Sequence, residues 1–274
     1  MTTTEINIAP GITNIYGPSG SMKSSMALTW PKPMAIWDFD LGIHRAWGVK
    51  QRDQKWLYQG EAGLIDVKRP PLPKRSFTQR YAELIGFSEF WNDFITGLTV
   101  ACEDDSIQTI VIDTGTVEWN ICCDAYLQEL QQENKAHNQG LRKQLQQIEY
   151  GEPNKRERQV LEQIKSYQKH CVLIHHETQE YEVYKIAGVV QKDEMGRPVS
   201  NPTGNMVPDG FRHLKPQLDW ELYVHETEKG SNHIRATIQK SSLGIDLIGV
   251  DMGGDGRNPT YQDFMQILIA MDRL

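Results

Sequence analysis

A mixed α/β fold with a largely parallel central sheet is predicted from three features of this sequence. Short apolar, β-branched runs alternate with stretches of helical periodicity. Several of those runs end in carboxylates, as buried parallel strands do at the edge where ligands bind. Between the first run and the first helix lies a Gly/Ser loop, Tyr16-Gly17-Pro18-Ser19-Gly20-Ser21-Met22-Lys23-Ser24-Ser25. The strands ending at Tyr16, Asp113 and Ile174 are expected side by side or one strand apart.

Ile12 to Tyr16 reads as the first strand, and Lys23 to Trp30 as a helix stopped by Pro31 and Pro33. Met34 to Trp37 forms a second strand running into Asp38-Phe39-Asp40-Leu41-Gly42, and Gly63 to Val67 another short one. The stiff basic stretch Lys68 to Arg75 reads as a solvated connector ahead of a nucleic-acid contact. Phe87, Phe90, Trp91, Phe94, Ile95 and Leu98 make an i, i+3, i+4, i+7 stripe, so an amphipathic helix packs them into the core. Ile107 to Asp113 is a strand ending in an acid. Residues 124–166 are rich in Gln, Glu, Lys and Asn and read as two polar helices broken at Tyr150 to Asn154. Cys171 to Ile174 is a further core strand followed by His175-His176-Glu177, and residues 185–216 a hairpin and long loop. Late strands are expected at 220–224, 233–238 and 245–250, and a closing helix from about Thr260 carries Phe264, Leu268 and Met271. No repeat and no clear linker interrupts residues 1–274, which fit one domain.

The loop at residues 16–25 carries the chemistry. Small residues let successive backbone N–H groups converge on phosphate oxygens. A lysine then reaches the β- and γ-phosphates, and a hydroxyl holds Mg²⁺. Gly17, Lys23 and Ser24 fall at the required spacing, Gly20 adds freedom, and Met22 replaces the second glycine of the pattern. A helix starting at Lys23 adds its positive end to the same anion site. Lys23 is expected to be exposed and to contribute little to packing.

Composition bounds the rest. The chain has 274 residues, 39% hydrophobic and 24% charged, with a net charge of −7. That balance argues against a uniformly basic nucleic-acid surface, but permits one basic face or a channel built from several subunits. No run of about 18 apolar residues is present, so no membrane span is expected. The first residues lack a basic-then-apolar pattern, so secretion is not expected and a cytoplasmic location is. Cys102, Cys122, Cys123 and Cys171 form no Cys-x-x-Cys pair and read as reduced thiols, with no zinc site.

Asp113, ending an apolar strand beside the loop, is the natural acid on the Mg²⁺ side. Hydrolysis also needs a group to orient or deprotonate water, for which Asp38, Asp40 and Glu118 are candidates. His175 and His176 end a strand at the same edge. A polar side chain there is placed to contact the γ-phosphate and report its loss; the alternative is that one histidine faces the core and the other caps a turn. A metal pair is not expected, because adjacent strand residues point to opposite faces.

This order of parts resembles RecA-like P-loop ATPases, in particular compact bacteriophage-type members associated with homologous recombination and single-strand annealing. The resemblance rests on residues 16–25, Asp38-Phe39-Asp40, Ile110 to Thr114, Leu173 to Glu177 and the late strands through Ile238-Gln239-Lys240. It implies a RecA-like core that binds ATP and Mg²⁺, with Gly17, Pro18, Ser19, Gly20, Ser21, Met22, Lys23, Ser24 and Ser25 around the nucleotide. Ser24 and Asp113 would hold the metal. Asp40 would take the place of the family's catalytic glutamate, one methylene shorter, and His176 the sensor position. Lys240 would reach a neighbouring subunit's nucleotide, which makes a homo-oligomer the expected assembly. Contacts to single-stranded DNA would come from Arg197, Asn201, Arg212 and Lys215, and a single-strand-binding protein is a further implied partner. Two other readings stay open: a poorly hydrolysing nucleotide-binding scaffold, and a small-molecule kinase.

Overall fold

The computed structural model describes residues 8–47, 62–73, 83–186, 189–193, 196, 198–228, 231, 233–253 and 257–273. In chain order the first half contains β1 (Ile12–Gly17), α1 (Lys23–Ala27), β2 (Met34–Asp38), α2 (Gly42–Trp47), β3 (Ile65–Lys68), α3 (Phe87–Glu103), β4 (Thr109–Asp113) and α4 (Gly115–Ala136). The second contains α5 (Gly151–Ser166), β5 (His170–Val183), β6 (Lys185–Ile186), β7 (Val189–Val190), β8 (Ser200–Pro208), β9 (Trp220–Glu226), β10 (Ile234–Ser241), β11 (Asp251–Gly253) and α6 (Tyr261–Ala270).

The main sheet runs β11-β10-β9-β1-β5-β4-β2-β3. From β9 to β3 every neighbouring pair is parallel, and β10 and β11 add antiparallel strands at one edge. The strands through Tyr16, Ile174 and Asp113 are therefore consecutive, β1-β5-β4, as the apolar runs predicted. Every residue of β1, β2 and β4 is buried, because helices cover both faces of a parallel sheet. One face packs against α1, α2 and α6 through Met26, Ile43, Phe264 and Leu268. The other packs against α3, α4 and α5 through Phe94, Leu98, Cys122 and Leu161. The aromatics of α3 belong to this core: Phe94 meets Trp37 edge-on at 5.7 Å and Phe39 at 5.6 Å between ring centres.

Four local expectations change. Gly151-Glu152-Pro153 is not a break but the first turn of α5, where a proline's missing N–H is no loss; the interruption lies at residues 137–146. The helix after the glycine loop ends at Ala27 rather than Trp30. Residues 245–250 are a 3-10 turn and bend, and the edge strand follows at Asp251–Gly253. Most consequentially, β5 does not stop at Ile174. It continues to Val183 and pairs with β8 as a long antiparallel arm, from Glu177 opposite Pro208 to Val183 opposite Ser200.

Of the basic connector, Lys68 pairs with Asp66 at 3.0 Å and Arg69 with Asp38 at 3.0 Å. Lys74 and Arg75 lie outside the described residues.

Candidate functional site

β1 delivers the glycine loop to the C-terminal edge of the sheet. Gly17 is required there: its φ is +153°, and a Cβ would sit 2.0 Å from the Val224 carbonyl oxygen of β9. Met22, the departure from the loop pattern, adopts φ +66°, the left-handed conformation that glycine takes without steric cost. The chain thus keeps the backbone shape while giving up the residue that best permits it.

Lys23 opens α1. It is only 8% exposed, contrary to the exposed loop lysine expected. Its Nζ donates to the carbonyls of Gly17 at 2.9 Å and Pro18 at 2.7 Å. Burial lowers its pKa, opposed by the nearby charges of Asp113, Glu177 and Asp40. The next residue, Ser24, donates from Oγ to Asp113 Oδ2 at 2.7 Å. This contact joins two motifs 89 residues apart, across β1 and β4.

Three carboxylates meet here. Asp38, Asp40 and Asp113 each present an oxygen within 4.8 Å of the others. Burial pushes Asp113 up to about 7, with Ser24 opposing and the charges of Asp40 and Asp38 adding to the rise. Asp38 is occupied by Arg69, whereas Asp40 Oδ1 accepts from the Gly42 N–H at 2.8 Å. His176 Nε2 and Arg45 Nη2 lie 3.7 and 3.8 Å from Asp40 Oδ2. His175 points the other way. Its Nδ1 meets Asn14 Oδ1 at 2.6 Å, and burial lowers its pKa to about 3, so it is a neutral core residue.

These groups surround a cavity of about 220 Å³, lined by Ser19 to Ser25 together with Asp40, Gly42, Arg45, Asp113 and His176. That volume is below the usual range of small-molecule pockets. It suits a polyphosphate end with its metal, leaving the remainder of a nucleotide toward solvent. The hydroxyl of Ser24 and the carboxylate of Asp113 are hard oxygen donors of the kind that Mg²⁺ takes.

Sequence reasoning found Gly17 to Ser25, Asp40, Asp113 and His176, and the fold brings them together. It did not find Gly42 or Arg45, which reach the site from α2. Their signal was positional: a helix beginning directly after the acids of a strand end. Glu118 is not in the site. It is buried on the first turns of α4, where it hydrogen-bonds Glu157 of α5.

Lys240 is also elsewhere within this chain. Its Nζ donates to the carbonyls of Lys215 and Leu218, and it pairs with Glu221, which lies beside Asn14 near the start of β1. The described candidate DNA residues lie on two segments. Asn201 is exposed on the arm opposite Glu182, Arg212 is exposed before β9, and Lys215 lies 3.6 Å from Glu221. Arg197 lies outside the described residues.

A family model described as an AAA domain matches residues 12–211, from the first strand through the arm. The chain belongs to the AAA domain family. No curated protein matches it. As an AAA-type P-loop ATPase family, this group accounts for the glycine loop, the lysine, and the Ser24–Asp113 contact together, and it supports nucleotide binding and ATPase chemistry. Lys215 and Lys240 lie beyond the matched span. Among the described residues no helix is long and apolar enough to cross a membrane.

Proposed function

We propose that this chain binds and hydrolyses MgATP and works as a RecA-like oligomer on single-stranded DNA, in phage-type recombination or annealing. The Ser24–Asp113 contact at 2.7 Å carries the first part, since it sets a metal-binding hydroxyl and acid beside the phosphate lysine. On this reading, loop N–H groups and Lys23 hold the phosphates, the lysine exchanging the Gly17 and Pro18 carbonyls for charged oxygens. Ser24 and Asp113 would hold Mg²⁺, which would supply positive charge against the phosphates. Asp40 orients the attacking water and takes its proton. His176, close to Asp40 and at the base of the arm, responds to the γ-phosphate.

The DNA part is supported by the arm. β5 continues from His176 without interruption into a hairpin that exposes Tyr181 and Tyr184, two rings on which bases can stack. Described charges on β5 beyond the site are acidic (Glu177, Glu180 and Glu182), so a phosphate grip draws on basic residues elsewhere: Lys185 and Lys192 farther along the arm, Arg212, Lys215 or neighbouring subunits. Partner proteins such as a single-strand-binding protein belong to this same proposal. Lys240 enters it only from a neighbour, since within its own chain it lies away from the phosphates. The competing reading is a scaffold that binds nucleotide and hydrolyses it poorly. It is favoured by the hydrogen bond that occupies Asp40 Oδ1.

ATPase measurement with and without single-stranded DNA separates the two. Stimulation by DNA, with binding that weakens steeply with salt as counterions are released, is the expected result. Nucleotide binding without turnover, and no DNA binding at low salt, would leave the scaffold.

A further inference from the structure

Phosphoryl transfer needs a cation on the γ-phosphoryl oxygens as charge develops there. Lys23 is already assigned to the ground-state phosphates on the reading above, and Lys240 lies near the opposite edge of the sheet, bound to two carbonyls. Among the described residues lining the phosphate cavity, one further permanent cation is present: Arg45.

Its position follows from the way α2 docks. Gly42 begins that helix pressed against the acid cluster, so closely that a Cβ would sit 2.6 Å from Asp113 Oδ2, 2.8 Å from Asp40 Oδ1 and 2.9 Å from Ser24 Oγ. Residues i, i+3 and i+4 share a helix face. Gly42, Arg45 and Ala46 accordingly all line the cavity. The Arg45 side chain is 69% exposed, and its Nη2 stands 3.8 Å from Asp40 Oδ2, beyond hydrogen-bond distance. Among the described residues it is held near the acid by charge, with no hydrogen bond fixing it.

We propose that Arg45 is the transition-state cation of this site, supplied in cis from α2 to the γ-phosphoryl oxygens. This rests on the ATPase reading above. In the step, the oxygen of water bonds to the γ-phosphorus while the bond from that phosphorus to the β,γ-bridging oxygen breaks, its electron pair leaving with ADP. The water proton passes to Asp40. Arg45 exchanges no proton; its planar fork of donors matches two phosphoryl oxygens. As Asp40 becomes neutral, the attraction drawing the guanidinium toward it disappears, and the full charge of Arg45 falls on the phosphoryl group.

The test compares the parent with Arg45→Ala and Arg45→Lys in ATPase turnover, with and without single-stranded DNA. Calorimetry follows the affinity of each for MgADP and for MgADP with aluminium fluoride, a mimic of the transferring group. Arg45→Ala is expected to bind MgADP within about threefold of the parent, which also shows that it is folded. Its kcat and its fluoride-complex affinity are expected to fall together by at least about 100-fold, toward the 10³–10⁵ found for arginine fingers. Arg45→Lys should restore part of both. Mixed oligomers of Arg45→Ala and Lys23→Ala subunits should recover no activity, because both defects lie in one chain's site. Turnover within about threefold of the parent, unchanged fluoride-complex affinity, or recovery on mixing would overturn the cis assignment while leaving the ATPase reading intact. A parent that neither turns over ATP nor forms the fluoride complex would overturn both.

Discussion

Glu118 and Glu157 form a buried acid pair whose removal should flatten the pH dependence of stability. Both are almost fully buried, and each leaves one carboxylate oxygen buried without a hydrogen-bond partner. Burial pushes Glu157 up to about 7, and burial with the adjoining Glu157 carboxylate holds Glu118 well above the ordinary range. The unfolded chain ionises both near 4.5, so between pH 5 and 8 the native state binds more protons than the unfolded one. Stability therefore falls as pH rises through this window. Glu157 alone contributes a loss of about 2–3 kcal/mol at 1.36 kcal/mol per pH unit, and Glu118 adds to it. Replacing both by Gln keeps the shape and removes the titration. Urea denaturation at pH 5 and pH 8 checks this, with the parent expected to lose at least about 2 kcal/mol more than the variant across the interval. An equal loss in both would refute the pairing. Glu118→Gln should also leave ATP turnover in place, since the residue does not line the phosphate cavity; loss of turnover in a folded variant would return Glu118 to the chemistry.

Three further outcomes concern the site itself. Lys23→Ala should weaken MgATP binding by at least about 100-fold in calorimetry, and lower stability by about 1–3 kcal/mol because two hydrogen bonds from a buried ammonium are lost; unchanged affinity would remove Lys23 from the phosphate site. Asp40→Asn should bind nucleotide as the parent does and turn over about 10²–10⁴-fold more slowly, whereas a parental rate would mean that another acid activates the water. Gly42→Ala places a methyl group against Asp113, Asp40 and Ser24, which should cost about 1–3 kcal/mol in packing. It should weaken nucleotide binding more with Mg²⁺ than with EDTA, and equal weakening in both would show that the metal end of the cavity is undisturbed.

The phosphate end of the site was legible because its parts are tied to strand ends. An apolar run finishing at Tyr16 or Asp113 is buried on both faces, and the residue after it must emerge at the same sheet edge. Spacing alone therefore brought Ser24 and Asp113 together. Arg45 was not legible in this way, since its place depends on how closely Gly42 lets α2 approach. Glu118 was misread for a related reason: five residues past Asp113 it looks like an edge acid, but the helical turn carries it beneath α5. The run after Ile174 was cut short because charged and polar residues there resemble a loop. In the fold they continue the strand: His175 and His176 still pair with β1, and from Glu177 onward the strand is mostly exposed and pairs with β8.

The unbroken course of β5 makes the arm a lever. From His176 to Val183 it spans about 23 Å at roughly 3.3 Å per residue. The pairing with β8 carries one register irregularity, between Gln179 and Tyr181, and on either side of it the paired strands pass on a small rotation at the phosphate edge. Tilting the base by roughly 10° sweeps the tip by about 4 Å over that length, comparable with the spacing of stacked bases. On the proposed reading, a displacement of the size set by one phosphate group would grow along the arm to the scale on which stacked bases are spaced.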